Sequence, residues 1–292
     1  MVAKTTAKKG HNGIGRNPIK EAIYHILVTI GALIMIYPLL WMVLSSFKPT
    51  NTVLATSAQL IPTEWTLDNY VQGWKGFMGY TFATFFANSF FISLTSTFGT
   101  LVSSACVAYA LKRLKFKLRG ILFVLVLSTM MLPAQILMIP QFMWFRHLNW
   151  VGTYYPMILP YFFAIQGFFV YLCMNFIGGI PSSLDEAAKI DGCSYYGIFF
   201  RIILPLMKPS FASMGIFVGM NSWNSFLWPM LVIRSNDKIT LPIGLASLIT
   251  PYGNNYDVLL AGSIFAIIPI IILFILFQKY FISGMTAGGV KG

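Results

Sequence analysis

The sequence predicts an all-α membrane protein with six transmembrane helices, and three observations carry that prediction. Of its 292 residues, 57% are hydrophobic and 10% are charged, where a soluble domain holds roughly 25% charge. Uncharged runs able to cross about 30 Å of hydrocarbon, roughly 20 residues each, recur six times, with cores at 22–46, 84–111, 120–143, 155–177, 209–233 and 258–278. Fifteen Lys and Arg residues fall in the odd-numbered segments between these runs and five in the even-numbered ones. Basic residues favour the inner face, so both termini are expected in the cytoplasm.

The chain then divides into a basic cytoplasmic tail at 1–20, a membrane domain at 21–283 and a C-terminal cytoplasmic tail at 284–292. The first run is too long for a signal-peptide core and lacks a small-residue cleavage site, so it is expected to stay. Pro38 should kink it, and Trp41 reads as an anchor at the membrane interface. The segment 49–83 is the longest outer loop, suited either to a partner protein or to a short interfacial helix carrying Trp65 and Trp74. Ser89, Ser93, Ser96, Thr100 and Ser103 place small residues at spacings of three and four down span two, a seam for close packing of another helix. The basic cluster from Lys112 to Arg119 reads as a solvated turn near lipid phosphates. Pro133 and Pro140 should bend span three, and Gly178-Gly179-Ile180-Pro181 should end span four.

Span five has a polar centre. Asn221, Asn224, Ser225 and Trp228 recur at i, i+3, i+4 and i+7, a stripe that lipid would leave unsatisfied. Amides beside an indole suit a sugar, whose hydroxyls need hydrogen bonds and whose C–H face stacks on aromatics. Hydrogen bonding to a neighbouring helix explains the stripe equally well.

Several function classes lack support. The net charge of +12 is spread over loops without a recognition motif, which favours anionic lipids over nucleic acid as the partner. Cys106, Cys173 and Cys193 have no metal-ligand spacing, and the three histidines form no catalytic set with them. No phosphate-binding Gly-x-x-x-x-Gly-Lys-Ser/Thr motif is present, so ATP chemistry would have to reside elsewhere. No catalytic residue, metal site or cofactor is expected in this chain.

The stretch from Ser183 to Pro209 is the charged segment between runs four and five. Ser183 and Glu186 form a capping box that predicts a helix from Leu184, and Gly192 is placed to close it in a left-handed cap. A helix of about two turns is marginal alone and needs a packing partner. Beyond Gly192, Pro205 and Pro209 are expected to stop a second helical segment, giving a unit that can move as a lever.

The same residues resemble the cytoplasmic loop signature of binding-protein-dependent ABC importer permeases, Glu-Ala-Ala, three residues, Gly, nine residues, Ile, one residue, Leu-Pro. Here these are Glu186, Ala187, Ala188, Gly192, Ile202, Leu204 and Pro205, with Asp191 beside the glycine. The ending Thr286-Ala287-Gly288-Gly289-Val290-Lys291-Gly292 is similar to that of the oligosaccharide, maltose-type branch. The resemblance implies a type I ABC importer transmembrane domain whose loop forms a coupling helix, in a bacterial cytoplasmic membrane. Its implied partners are a second permease, two ATPase subunits that bind ATP and Mg, and an extracellular or periplasmic sugar-binding protein. The alternative is an ion-gradient-driven secondary transporter or channel. Proton-coupled carriers generally need intramembrane ionisable residues, and none of the six cores contains Asp, Glu, Lys or Arg, while a sodium-coupled one would leave the loop signature unexplained.

Overall fold

The computed structural model describes residues 18–50, 52–76, 79–250 and 253–289. Most of the expected N-terminal tail, and the last three residues, lie outside them. The first span is α1 (Pro18–Ser45), a helix that runs through Pro38 and buries only Ser45 among its residues. A folded segment follows. Asn69, on α2 (Asp68–Lys75), donates through Nδ2 to the carbonyls of Ser46 and Lys48, each at 2.8 Å. Lys48 is 2% exposed and donates to the carbonyls of Thr56 and Gln59 at 2.8 and 2.7 Å. Trp41, expected as an interface anchor, is half-buried, and its indole N–H donates to the Ser57 carbonyl at 2.9 Å. α2 packs on the last helix through Trp74 and Phe265, 5.4 Å apart.

The bundle is built around α3 (Phe82–Arg113), whose expected seam is buried along its length. Small side chains there exchange hydrogen bonds with three other elements. Ser96 donates to Ser222 Oγ at 2.9 Å, Ser103 donates to the Tyr161 carbonyl at 2.8 Å, and Ser89 accepts from the Leu241 N–H at 2.8 Å. At the far end of α3 from the 183–209 loop, Asn88 donates to the carbonyls of Asp237 and Ile239 and accepts from the Tyr154 hydroxyl.

Prolines break three of the remaining spans. α4 (Arg119–Met131) and α5 (Ala134–His147) meet at 105° across Leu132 and Pro133, the bend expected in span three. Span four, read as one run, is interrupted: α6 (Tyr155–Ile158) passes into a 3-10 turn at Leu159–Phe163, and α7 (Gly167–Gly179) starts only after left-handed Ala164, φ 52°. Pro160 has no N–H to return to the Pro156 carbonyl, which accepts the Trp228 indole N–H at 3.1 Å instead.

After α7 come α8 (Ser183–Ile190), α9 (Tyr195–Ile198), a π-helical stretch at Phe199–Ile203, α10 (Leu204–Leu206) and α11 (Lys208–Trp223). α12 (Leu227–Val232) and α13 (Leu241–Ala246) follow. A two-residue ladder, Ile249–Thr250 against Gly253–Asn254, is the only sheet among the described residues. α14 (Tyr256–Gly289) ends the chain. The largest core joins α3, α7 and α11 through Ala105, Tyr109, Val170, Cys173, Ile177 and Met214, and it extends into the 183–209 loop through Ala188, Ile198, Phe199, Ile203 and Met207.

Candidate functional site

Pro181 sets φ for the turn that starts α8 and leaves its carbonyl to accept the Leu184 N–H at 3.3 Å, while the Ser182 carbonyl accepts those of Asp185 and Glu186. The helix thus begins at Ser183 rather than Leu184. The expected capping box is absent, because Ser183 is already inside the helix and Ser182, the residue at the cap, has a helical backbone and makes no side-chain cap bond. At the other end Gly192 has φ 80°, its N–H donates to the Lys189 carbonyl, and that of Cys193 donates to Ala188 at 2.9 Å. This is the paired closure that a left-handed C′ glycine makes. The serine that caps is Ser194, whose Oγ accepts the Gly197 N–H at 3.2 Å and starts α9.

Pro205 does not stop this second segment. Its missing N–H would have paired with the Arg201 carbonyl, and the helix widens by one residue instead, so that the Leu204 N–H reaches Phe199 and the segment continues to Leu206. The chain then turns by 73° into α11, whose first turn holds Pro209.

The loop residues sort by face. Asp185 and Ala188 are the buried residues of α8, and Ile203 and Met207 point into the core; Ile202 and Leu204 are half-buried. Glu186, Ala187, Asp191, Gly192 and Pro205 are exposed. Around them lie large exposed apolar side chains, with Ile190 87% and Tyr196 80% accessible, joined by Leu184, Tyr195, Phe200 and Leu206. The basic cluster at 112–119 is not wholly a solvated turn: Arg113, the last residue of α3, folds under the loop. Its Nη2 donates to the carbonyls of Ile177 and Ile180 at 3.1 and 2.6 Å, and its Nε lies 3.2 Å from Asp185 Oδ2.

The polar stripe of span five is split. Pro229 cannot return an N–H to the Ser225 carbonyl, and the helix is interrupted at 224–226. Asn224 becomes the C-terminal cap of α11, exposed and lining neither of two larger cavities. Asn221 lines a cavity of about 570 Å³ with Gln166, Thr129 and Phe217. Trp228 lines another of about 260 Å³ with Tyr161 and Gln141, and Gln166, Thr129 and Ile165 border both. Ser225 faces a gap of about 10 Å³ beside Trp228, scarcely room for one water. Gln166 therefore joins the two parts of the candidate path. It occupies the break between the 3-10 turn and α7, and its buried Oε1 accepts no hydrogen bond from the described residues.

Residues 102–287 match the family model of the binding-protein-dependent transport system inner membrane component. The chain belongs to this family. The permease is 49% identical over 272 residues to the arabinooligosaccharides transport system permease protein AraQ of Halalkalibacterium halodurans, covering 91% of this chain and 96% of the relative. It is 43% identical to the AraQ protein of Bacillus subtilis, over 95% and 99% of the two chains. Among solved structures, a bacterial ABC transporter involved in the import of the acidic polysaccharide alginate superposes with a TM-score of 0.79 at 25% identity, covering 92% of the permease and 99% of that chain. The permease is thus an all-α, multi-pass membrane protein with the type I ABC importer fold.

Two residues of the permease escaped sequence reading for identifiable reasons. Arg113 sits in a basic run where five cations look alike. Gln166 stands alone in an apolar stretch, and the signal that marks it is the nearby Pro160, which implies a broken helix at membrane depth.

Proposed function

We propose that this permease is one transmembrane subunit of an ATP-driven importer of oligosaccharides, delivered by an extracellular or periplasmic binding protein. A second permease and two ATPase subunits complete the complex. The observation that carries the reading is the two-faced 183–209 loop: its inner face is part of the main core, while its outer face leaves Ile190, Tyr196 and Phe200 exposed. Exposed apolar side chains clustered on a polar loop mark a surface for a partner protein or for the membrane, and the loop signature favours the protein. The ATPase is the occupant that the family resemblance supplies, and Glu186, Ala187, Asp191, Gly192 and Pro205 are exposed as well.

The cavities support a neutral sugar as cargo. Gln141, Tyr161, Gln166, Asn221, Thr129 and Trp228 offer amides, hydroxyls and an indole, and no Lys or Arg is among the described residues lining either cavity. A uronate polymer would need a cation there. The AraQ relatives suggest an arabinose-containing oligosaccharide as the first to test. Radiolabelled arabinooligosaccharide is offered to proteoliposomes holding the complete complex, with its binding protein outside and ATP inside. ATP-dependent uptake is expected; uptake that ignores ATP and follows a sodium or proton gradient would overturn the reading.

A further inference from the structure

The outward face of the loop explains docking but not how a displacement of α8 reaches the spans. α8 is eight residues long and buries only Asp185 and Ala188. Ala188 makes a small apolar contact. Asp185 makes the charged one, with Arg113, both side chains being about 90% buried (12% and 11% exposed).

Arg113 is placed to serve as a junction. It ends α3, the helix around which the bundle is built. Its Nη2 is spent on the carbonyls of Ile177 and Ile180, which lie at the C-terminus of α7 where a cation is favoured. Its Nε meets Asp185 on α8. One turn earlier on α3, the Tyr109 hydroxyl donates to the Tyr195 carbonyl at 3.1 Å, and its ring lies 5.0 Å from Phe199. Neighbouring turns of one span thus hold both arms of the loop.

The ion pair is also incompletely bonded. Among the described residues Asp185 Oδ1 meets no donor, and Arg113 Nε has no acceptor in line with its N–H despite the 3.2 Å separation. Coupling between elements is carried by such hydrogen-bond and salt-bridge networks, and this one joins α8 to the ends of α3 and α7.

We infer that Arg113 and Asp185 form the joint that transmits movement of α8 into α3 and the end of α7. They are positioning residues, remote from cargo and buried beneath the docking face. This inference rests on the importer reading above.

The test uses the complete complex in proteoliposomes and reads three quantities: co-purification of the ATPase subunits, ATP hydrolysis with and without loaded binding protein, and sugar imported per ATP. Asp185→Asn, Arg113→Lys and the double variant Asp185→Asn/Arg113→Gln are compared. The first two are expected to keep the ATPase bound and basal hydrolysis within about twofold, while sugar imported per ATP falls about tenfold. The double variant should fall at least as far as Asp185→Asn alone, since it breaks the same ion pair and also removes the Nη2 bonds to Ile177 and Ile180. Wild-type import per ATP in both single variants would overturn the joint, and so would loss of ATPase binding in all three, which would make the pair a structural support only. A wild-type complex with no ATP-dependent uptake would instead strike at the importer reading.

Discussion

Gly192 shows how far a single residue can be read. Its place after a short charged helix predicts a left-handed cap, and the backbone adopts one with φ 80°. No neighbouring atom lies within 4 Å of where a Cβ would stand, so a substitution there is felt through the backbone alone. Gly192→Val should destabilise the loop by about 1–2 kcal/mol, measured as a lower melting temperature of the purified complex; an unchanged value would contradict the cap. Ser183 teaches the opposite lesson, because its spacing to Glu186 fits a capping box but Pro181 starts the turn earlier and takes over the job. Asn221 and Asn224 look equivalent in sequence, yet the helix end separates them. Asn221→Leu is expected to lower uptake about tenfold by removing a hydrogen bond to cargo, of order 1.4 kcal/mol, whereas Asn224→Leu should stay near wild type. Equal losses at both positions would restore the single stripe.

At the scale of elements, the sequence locates apolar runs well because their length is set by the bilayer, and locates their interruptions poorly. Pro133 was legible as a bend because it stands mid-run. Pro160 and Pro229 were not, since each takes effect through the carbonyl four residues earlier, and what that carbonyl then meets depends on tertiary structure. Close approach of elements is equally hidden. Gly167 begins α7 where a Cβ would meet Thr129 Oγ1 and lie 2.6 Å from the Val126 carbonyl of α4. Gly167→Val should therefore destabilise the complex by about 1–3 kcal/mol, read as a melting-temperature drop. Gly179→Val, with nothing within 4 Å of its Cβ position, serves as the control. A similar drop in both would show that loss of glycine, not crowding of α4, is responsible.

For the whole molecule, charge distribution predicts orientation without any knowledge of packing, and it puts the 183–209 loop in the cytoplasm. In a variant with Cys106→Ser and Cys173→Ser, half-buried Cys193 should react with an impermeant maleimide in inside-out vesicles and stay unlabelled in intact cells. Labelling from outside would invert the topology and remove the ATPase from reach of the loop. The central claim is that the exposed side of this loop docks the ATPase and conveys its work to the spans. Ala187 tests it most directly, being exposed on α8 and small enough for a close-fitting groove. Ala187→Trp should overpack that contact by about 1–3 kcal/mol. ATPase binding to the membrane complex and sugar uptake in proteoliposomes should then fall together while the permease still inserts. Wild-type binding and uptake with a tryptophan at this position would contradict the account.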